Sequence, residues 1–241
     1  MDTLTQSYTE DISMADALLF DLTTTSLREV NASLHALGKG DTKVRILHPA
    51  GKHSIAVGLT EPASVTIDGH VGYYAAGMNQ AANVLINGNA GVGVAENMMS
   101  GSVWVKGSAS QSAGATAHGG LLVIEGGAAA RCGISMKGVD IVVGGNVGHM
   151  SAFMAQAGTL VVRGDAGEAL GDSIYEARIY VRGTVASLGA DCVAKDMAVE
   201  HHEQLALLLK AAGYDDDTSE YTRYGSSRGL YHFHVDNAST Y

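Results

Sequence analysis

The chain has 241 residues, enough for one large domain with caps or for two small ones. A net charge of −10 with no dense Lys/Arg run argues against nucleic acid and anionic membrane surfaces as partners. No stretch approaches about 18 apolar residues, so no membrane-spanning helix is expected, while 46% hydrophobic residues supply a substantial core.

Residues 1–60 read as an N-terminal segment with a short helix and capping strands. Met1 to Ile12 shows no basic region followed by an apolar run, so no secretory signal is expected and a cytoplasmic location is. Ser26-Leu27-Arg28-Glu29 is a capping box, Leu27, Val30, Leu34 and Leu37 follow at helical spacing, and Gly38 is the expected stop. Lys43–Leu47 and Ser54–Val57 read as short strands around Pro49-Ala50-Gly51. They would form a degenerate coil that covers an open end, with Ile46 in the repeat register and His48 outside it.

Residues 61–195 carry a repeat. Gly69, Gly88, Gly107, Gly126, Gly145, Gly164 and Gly183 follow one another at intervals of 19 residues. Four residues before each glycine stands Val65, Val84, Val103, Leu122, Ile141, Leu160 or Ile179; two before stands Ile67, Ile86, Val105, Ile124, Val143, Val162 or Val181. Spacing of two puts both sets on one face of a strand, and the second set is entirely β-branched. After the glycine comes a mostly polar corner residue, then Ala or Val. Seven residues past the glycine only Ala or Gly occurs. Glycine allows a positive φ at the corner, and small residues let successive backbones approach. One such unit cannot bury its own strand face, but a stack of them can. The predicted fold is all-β: a single-stranded β-helix of about seven 19-residue coils, spaced about 4.8 Å apart, with short helices flanking both ends.

Alternation turns a second column outward: Thr66, Leu85, Trp104, Val123, Val142, Val161 and Tyr180. An apolar stripe of that length is not expected to stay wet. Either the chain's own terminal segments cover it or a partner docks there. On the second reading Val142→Asp costs association, whereas Val143→Asp prevents folding.

Residues 196–241 read as a C-terminal helix and an aromatic docking tail. Asp196 precedes a helical run from Met197 to Ala212, ended by Gly213. His201-His202-Glu203 invites a metal reading, but neighbours in a helix point about 100° apart, so a solvated surface is expected. Asp215-Asp216-Asp217 reads as a solvated loop. The tail from Tyr221 to His234 is rich in aromatics and reads as a segment that docks on its own rod or on a neighbour.

No catalytic constellation emerges. Gly88, Gly91 and Gly93 form a Gly-x-x-Gly-x-Gly, but a strand follows where a dinucleotide site needs a helix. His70, His118 and His149 lie in the repeats at inequivalent positions. Cys132 and Cys192 have no metal-ligand spacing and read as buried thiols.

The glycine corners and aliphatic strands from Val65 to Arg182 resemble the GXGXG β-helix family. That domain closes the large subunit of glutamate synthase and forms the C subunit of formylmethanofuran dehydrogenase. The Leu27-Arg28-Glu29-Val30-Asn31 helix and the tail from Tyr224 to Phe233 are similar to the stand-alone GXGXG subunit of N-methylglutamate synthase. The resemblance implies a right-handed β-helix inside a three-subunit enzyme that makes N-methylglutamate and ammonia from methylamine and glutamate. One partner would be a glutaminase-like, class II amidotransferase subunit. The other would be a glutamate-synthase-like subunit carrying FMN and an iron–sulfur cluster. No catalytic, cofactor-binding or metal-binding residue carries over to this chain, and two cysteines are too few for a cluster. The expected partner interface comprises Leu85, Trp104, Val123, Val142, Val161 and Tyr180 of the stripe and Arg228, Tyr231 and Phe233 of the tail. The alternatives are a scaffold in a formylmethanofuran dehydrogenase or formyltransferase–hydrolase complex and, in another class, an independent β-helix enzyme. Activity of the purified chain alone would mark the last.

Overall fold

A computed structural model describes residues 17–228. Strands β1 (Leu18–Asp21), β2 (Thr42–Leu47), β3 (Ala63–Asp68), β4 (Asn83–Ile86), β5 (Ser102–Val105), β6 (Leu121–Ile124), β7 (Lys137–Val143), β8 (Ala157–Val162) and β9 (Arg178–Val181) lie side by side in chain order, each parallel to the next. From β3 to β9 the register pairs each repeat position with its own equivalent: Val84 opposite Val103, Ile86 opposite Val105, Val142 opposite Val161. Both inward columns, Val65 to Ile179 and Ile67 to Val181, are at most 2% exposed and form one continuous aliphatic core. The fold is the predicted β-solenoid of about seven turns.

Two sequence readings of the first coil need correction. Val44 stands opposite Val65 and Ile46 opposite Ile67, so Ile46 occupies the second inward column and not the first. The coil is two residues longer than the rest. Residues 54–57 are a turn and not a strand, with Ser54 and Ala56 at φ 57° and 55°.

The anchor glycines serve a different purpose from the one expected. Among them only Gly69 has a positive φ. The others are required by closeness. A Cβ on Gly88 would sit 2.5 Å from the carbonyl carbon of Gly69, and one on Gly107 or Gly164 would sit 2.1 Å from Oδ1 of Asn89 or Asn146. Those side chains are there for a reason. Except at Gly127, which has no side chain, the residue after an anchor reaches across the next coil's anchor to accept its neighbour's N–H, as in Ser108 N to Asn89 Oδ1 (2.8 Å), Asp165 N to Asn146 Oδ1 (2.8 Å) and Thr184 N to Asp165 Oδ1 (2.7 Å). The left-handed backbone lies farther on. In the column seven residues past the anchor, Ala76, Ala95, Gly114, Gly133, Ala152 and Gly171 all have φ between 53° and 69°. The three alanines among these six are fully buried, so the column is restricted both in φ and in volume up to Gly171; Ala190, in the last coil, is exposed.

The lower end of the core is closed by α1 (Leu27–His35). Its capping box forms as expected, with Glu29 N donating to Ser26 Oγ (3.3 Å) and Ser26 N to Glu29 Oε2 (3.0 Å). The helix ends at Ala36, before Gly38, which is not in the left-handed region. Val30 and Leu34 enter the core, and Asn31 acts as a surrogate coil. Its Nδ2 donates to Ser54 O (2.8 Å) while its Oδ1 accepts from Ala56 N (3.0 Å). His35 Nε2 donates to Val57 O at 2.7 Å.

The other end turns the chain back. After β10 (Cys192–Lys195) and α2 (Val199–Ala211), β11 (Thr222–Ser226) inserts antiparallel between β9 and β10. In between, α2 lies on the outward stripe. Leu205, Leu209, Ala212 and Tyr221 pack with Trp104, Val123, Val142, Val161 and Tyr180 into a second cluster, and Leu85 sits partly buried at its margin. Burying one such side chain contributes roughly 1.5–3 kcal/mol.

Polar contacts pin this cover at both edges. Arg163 Nε and Nη2 donate to both oxygens of Asp216 (2.6 and 2.7 Å), Arg182 stands 3.4 Å away, and Tyr221 OH donates to the same carboxylate at 2.7 Å. The Tyr214 ring centroid lies 3.7 Å from the Arg163 guanidinium carbon. Gln204 Oε1 accepts from Arg178 Nη1 (2.6 Å), and its Nε2 donates to Thr159 Oγ1 (3.1 Å). Thus Asp216 is not a solvated loop residue. Its side chain is 7% exposed, and the bonds from Arg163 above all hold its pKa down at about 2. Nor is His201 a solvated surface residue: it is buried, and its Nδ1 accepts the Ala198 N–H that opens α2 (2.9 Å). Burial, with Arg223 and Arg178 nearby, lowers its pKa.

Two outcomes follow for stability. Gly107→Ala, whose Cβ collides with Asn89, should lose about 2–3 kcal/mol in denaturant unfolding, whereas Gly38→Ala, with nothing within 4 Å, should stay within about 0.5 kcal/mol. Asp216 is depressed from 3.8 to about 2, so its contribution is full above pH 3.8 and is lost as pH falls towards 2. Asp216→Asn should therefore cost roughly 2 kcal/mol at neutral pH, and the gap to the parent should close by about pH 2 in pH-dependent unfolding.

Candidate functional site

The structure divides the expected interface residues. Trp104, Val123, Val142, Val161 and Tyr180 are 0–5% exposed beneath α2, so these five offer no surface to a partner while the helix is in place. Of the two readings of the stripe, cover by the chain's own terminal segment is the one the structure contains. The sequence signal for this was present in Leu205, Leu208 and Leu209. Arg228 is exposed and ion-paired with Asp191. Tyr231 and Phe233 lie outside the described residues.

The polar column beside the stripe is spent on structure. Arg45 pairs with Asp68 (2.6 Å), which also accepts from Asn87 Nδ2 (2.9 Å). Glu125 Oε1 accepts from both Lys106 Nζ (2.6 Å) and Trp104 Nε1 (2.8 Å). Asp140 is pushed above its usual pKa by burial, which outweighs its hydrogen bond with Thr159, the residue that also accepts from Gln204 Nε2.

Nucleophile and metal chemistry fare no better. Among the described residues no three His, Cys, Asp or Glu side chains converge to hold a metal ion. Cys132 and Cys192 are buried, and burial pushes their pKa up to about 12 and about 11. Thiolates are the ligands of iron–sulfur clusters, so this pair does not fit one. His70 Nδ1 accepts the Asn89 N–H (2.9 Å) and His53 Nδ1 the Tyr73 N–H (2.8 Å), so both extend the corner ladder. No helix among the described residues is long and apolar enough to cross a membrane.

What the rod does present is an apolar face on its turn halves, away from the strands that carry α2. Tyr73, Tyr74, Met78, Met99 and Met154 are 47–52% exposed. His53 stacks on Tyr73 with ring centroids 4.4 Å apart, and Tyr74 stands edge-on to Tyr73 at 6.5 Å. Tyr74 is held at φ 60°, its ring over Gly93 of the next coil. Such side chains are rigid, amphipathic and adaptable in contact, and they suit protein association. Sequence periodicity missed them because no repeat column is consistently apolar there: Met78 and Met154 share one, but Asn97, Thr116 and Ser135 stand between them in it.

No family model and no solved structure matches the chain. Among curated proteins, Protein GlxC of Rhizobium meliloti (strain 1021) is 59% identical to it over 226 residues, which is 92% of this chain and 99% of that protein. Identity at that level over the whole solenoid and its flanks leaves one conclusion about kinship: the chain belongs to the family of Protein GlxC.

Proposed function

We propose that this chain is the non-catalytic scaffold subunit of a glutamate-synthase-like, FMN-dependent assembly of the N-methylglutamate synthase type. Its role is to hold a glutaminase-like subunit and an FMN-binding subunit in fixed relation while they convert methylamine and L-glutamate to N-methyl-L-glutamate and ammonia. The observation that carries the reading is a rod whose corner side chains bond successive coils together, while aromatic and Met side chains stand exposed on its turn halves. A rigid stack of coils with such a face suits positioning larger neighbours. The resemblance of the repeats and both flanks to GXGXG subunits supplies the identity of those neighbours. FMN and the iron–sulfur cluster belong to the partner on this reading.

Tagged chain purified from its native host should bring down two larger subunits, with flavin absorbance in the complex and none on the isolated chain. Recovery of a well-behaved monomer alone would count against the scaffold role. Tyr74→Asp with Met99→Asp should leave the unfolding midpoint within a few degrees and reduce co-purification about tenfold or more. Aspartate tolerates the left-handed backbone at position 74, so a loss of association there reads on the surface and not on the coil.

A further inference from the structure

The turn halves enter the left-handed region at two further columns, five and nine residues past the anchor. In the first, Tyr74, Ser112, Arg131, Met150 and Ala169 have φ of 54–60° and Gly93 has 72°; in the second, Met78, Asn97, Thr116, Ser135, Met154 and Ser173 have φ of 52–57°. Glycine and asparagine take this backbone most readily, and the chain uses them at Gly93 and Asn97. A long side chain raises its energy. Yet two coils carry a large side chain in both columns: Tyr74 with Met78, and Met150 with Met154. Tyr74, Met78 and Met154 are 47–52% exposed and Met150 is half-buried. None of the four belongs to either apolar cluster of the molecule. Neither the backbone nor the core accounts for them, which leaves a contact beyond the rod. Because the two pairs occupy equivalent repeat positions, they lie on one side of it, four coils or roughly 19 Å apart.

Between the pairs the charge runs against that of the chain. From residue 97 to residue 164 the only acids are Glu125 and Asp140, and both belong to the strand half. Glu125 is bonded to Trp104 and Lys106, and Asp140 to Thr159. The turn half of this stretch has no carboxylate. It presents Arg131 and Lys137, both exposed, with exposed His118 one coil below and exposed His149 one coil above. The strand-half cations Lys106 and Arg163 are paired, whereas Arg131 and Lys137 form no ion pair among the described residues. A chain of net charge −10 thus keeps a basic band in the middle of one face, with an apolar pair at its lower and upper ends.

We propose that the turn halves of the coils anchored at Gly69 to Gly145 dock a partner subunit whose surface sets carboxylates against Arg131 and Lys137. Apolar side chains of the same partner cover Tyr74 and Met78 at one end and Met150 and Met154 at the other. The proposal rests on the scaffold reading and names the chemistry of one of its neighbours. A second copy of the chain is the wrong complement, because a two-fold contact centred on this face would set the cations of one rod against those of the other.

Tagged full-length chain co-purified from its native host tests this with two variants: Arg131→Glu with Lys137→Glu, and Met78→Asn with Met154→Asn. Each should cut recovery of one partner about tenfold or more, while the conservative Arg131→Lys with Lys137→Arg should retain it. The unfolding midpoint of the isolated asparagine variant should not fall, since asparagine suits the left-handed backbone better than methionine does. Recovery unchanged in either variant overturns the footprint and spares the scaffold role. A midpoint lowered by several degrees overturns it too, because the methionines would then serve the fold. Self-association of the isolated chain that the same variants abolish would assign the face to a second copy and overturn it. A parent that brings down no partner overturns the scaffold reading and this proposal together.

Discussion

Backbone lies directly on backbone at each corner of this solenoid, and the rest of the structure depends on that approach. At Gly88, Gly107, Gly126, Gly164 and Gly183 a Cβ would come within 2.1–2.5 Å of the coil below. At Gly88 that space is taken by the Gly69 backbone; at the other four it holds a side chain from that coil, which reaches up for an N–H. Glycine and the polar residue after it are therefore one device. The glycine opens the gap, and the Asn, Ser or Asp below uses it to bond the next corner. With the corners fixed at that spacing, the strands stack in register and the two aliphatic columns meet their equivalents above and below. A chain so fixed at short intervals has little freedom left to close a cleft or to move a catalytic side chain.

That economy explains why the polar groups are silent as chemistry. The corner Asn, Asp and His side chains accept backbone protons, the outward Arg, Lys, Asp and Glu side chains pair with one another or with the segment after α2, and the two thiols are buried in apolar surroundings that disfavour the thiolate. For these groups a structural bond or burial accounts for the residue type at its position. Exposed on the turn halves are the Tyr73–Tyr74 pair with its stacked histidine, and three methionines.

The stripe beneath α2 shows how a correct surface prediction can have two physical outcomes. Trp104 to Tyr180 form an apolar band that water disfavours. The band needs a cover but does not specify which one. Helix α2 supplies it because Leu205 and Leu209 fall on one of its faces, and because Asp216, just past its end, finds Arg163 on the rod. The apolar contact gives the attraction, and the bidentate ion pair with Tyr221 and Tyr214 around it sets where the helix lies.

The period of 19, the apolar alternation and the capping box at Ser26 were readable in the sequence because each depends on residues close along the chain or on a repeat that states the same requirement seven times. A solenoid is nearly one-dimensional, so a local rule propagates into the global fold. Non-repeating contacts were not readable. Nothing local distinguishes Asp216 from Asp215 and Asp217, yet only Asp216 meets a guanidinium 53 residues away. The same holds for Ile46, whose column was misassigned by the two extra residues of its coil, and for His201, whose ring caps its own helix because the rod buries it. The cover over the stripe, the pairing of the acidic run and the exposed aromatic corner were decided by tertiary structure, since each depends on which distant surface the flanking segments find once the stack is built.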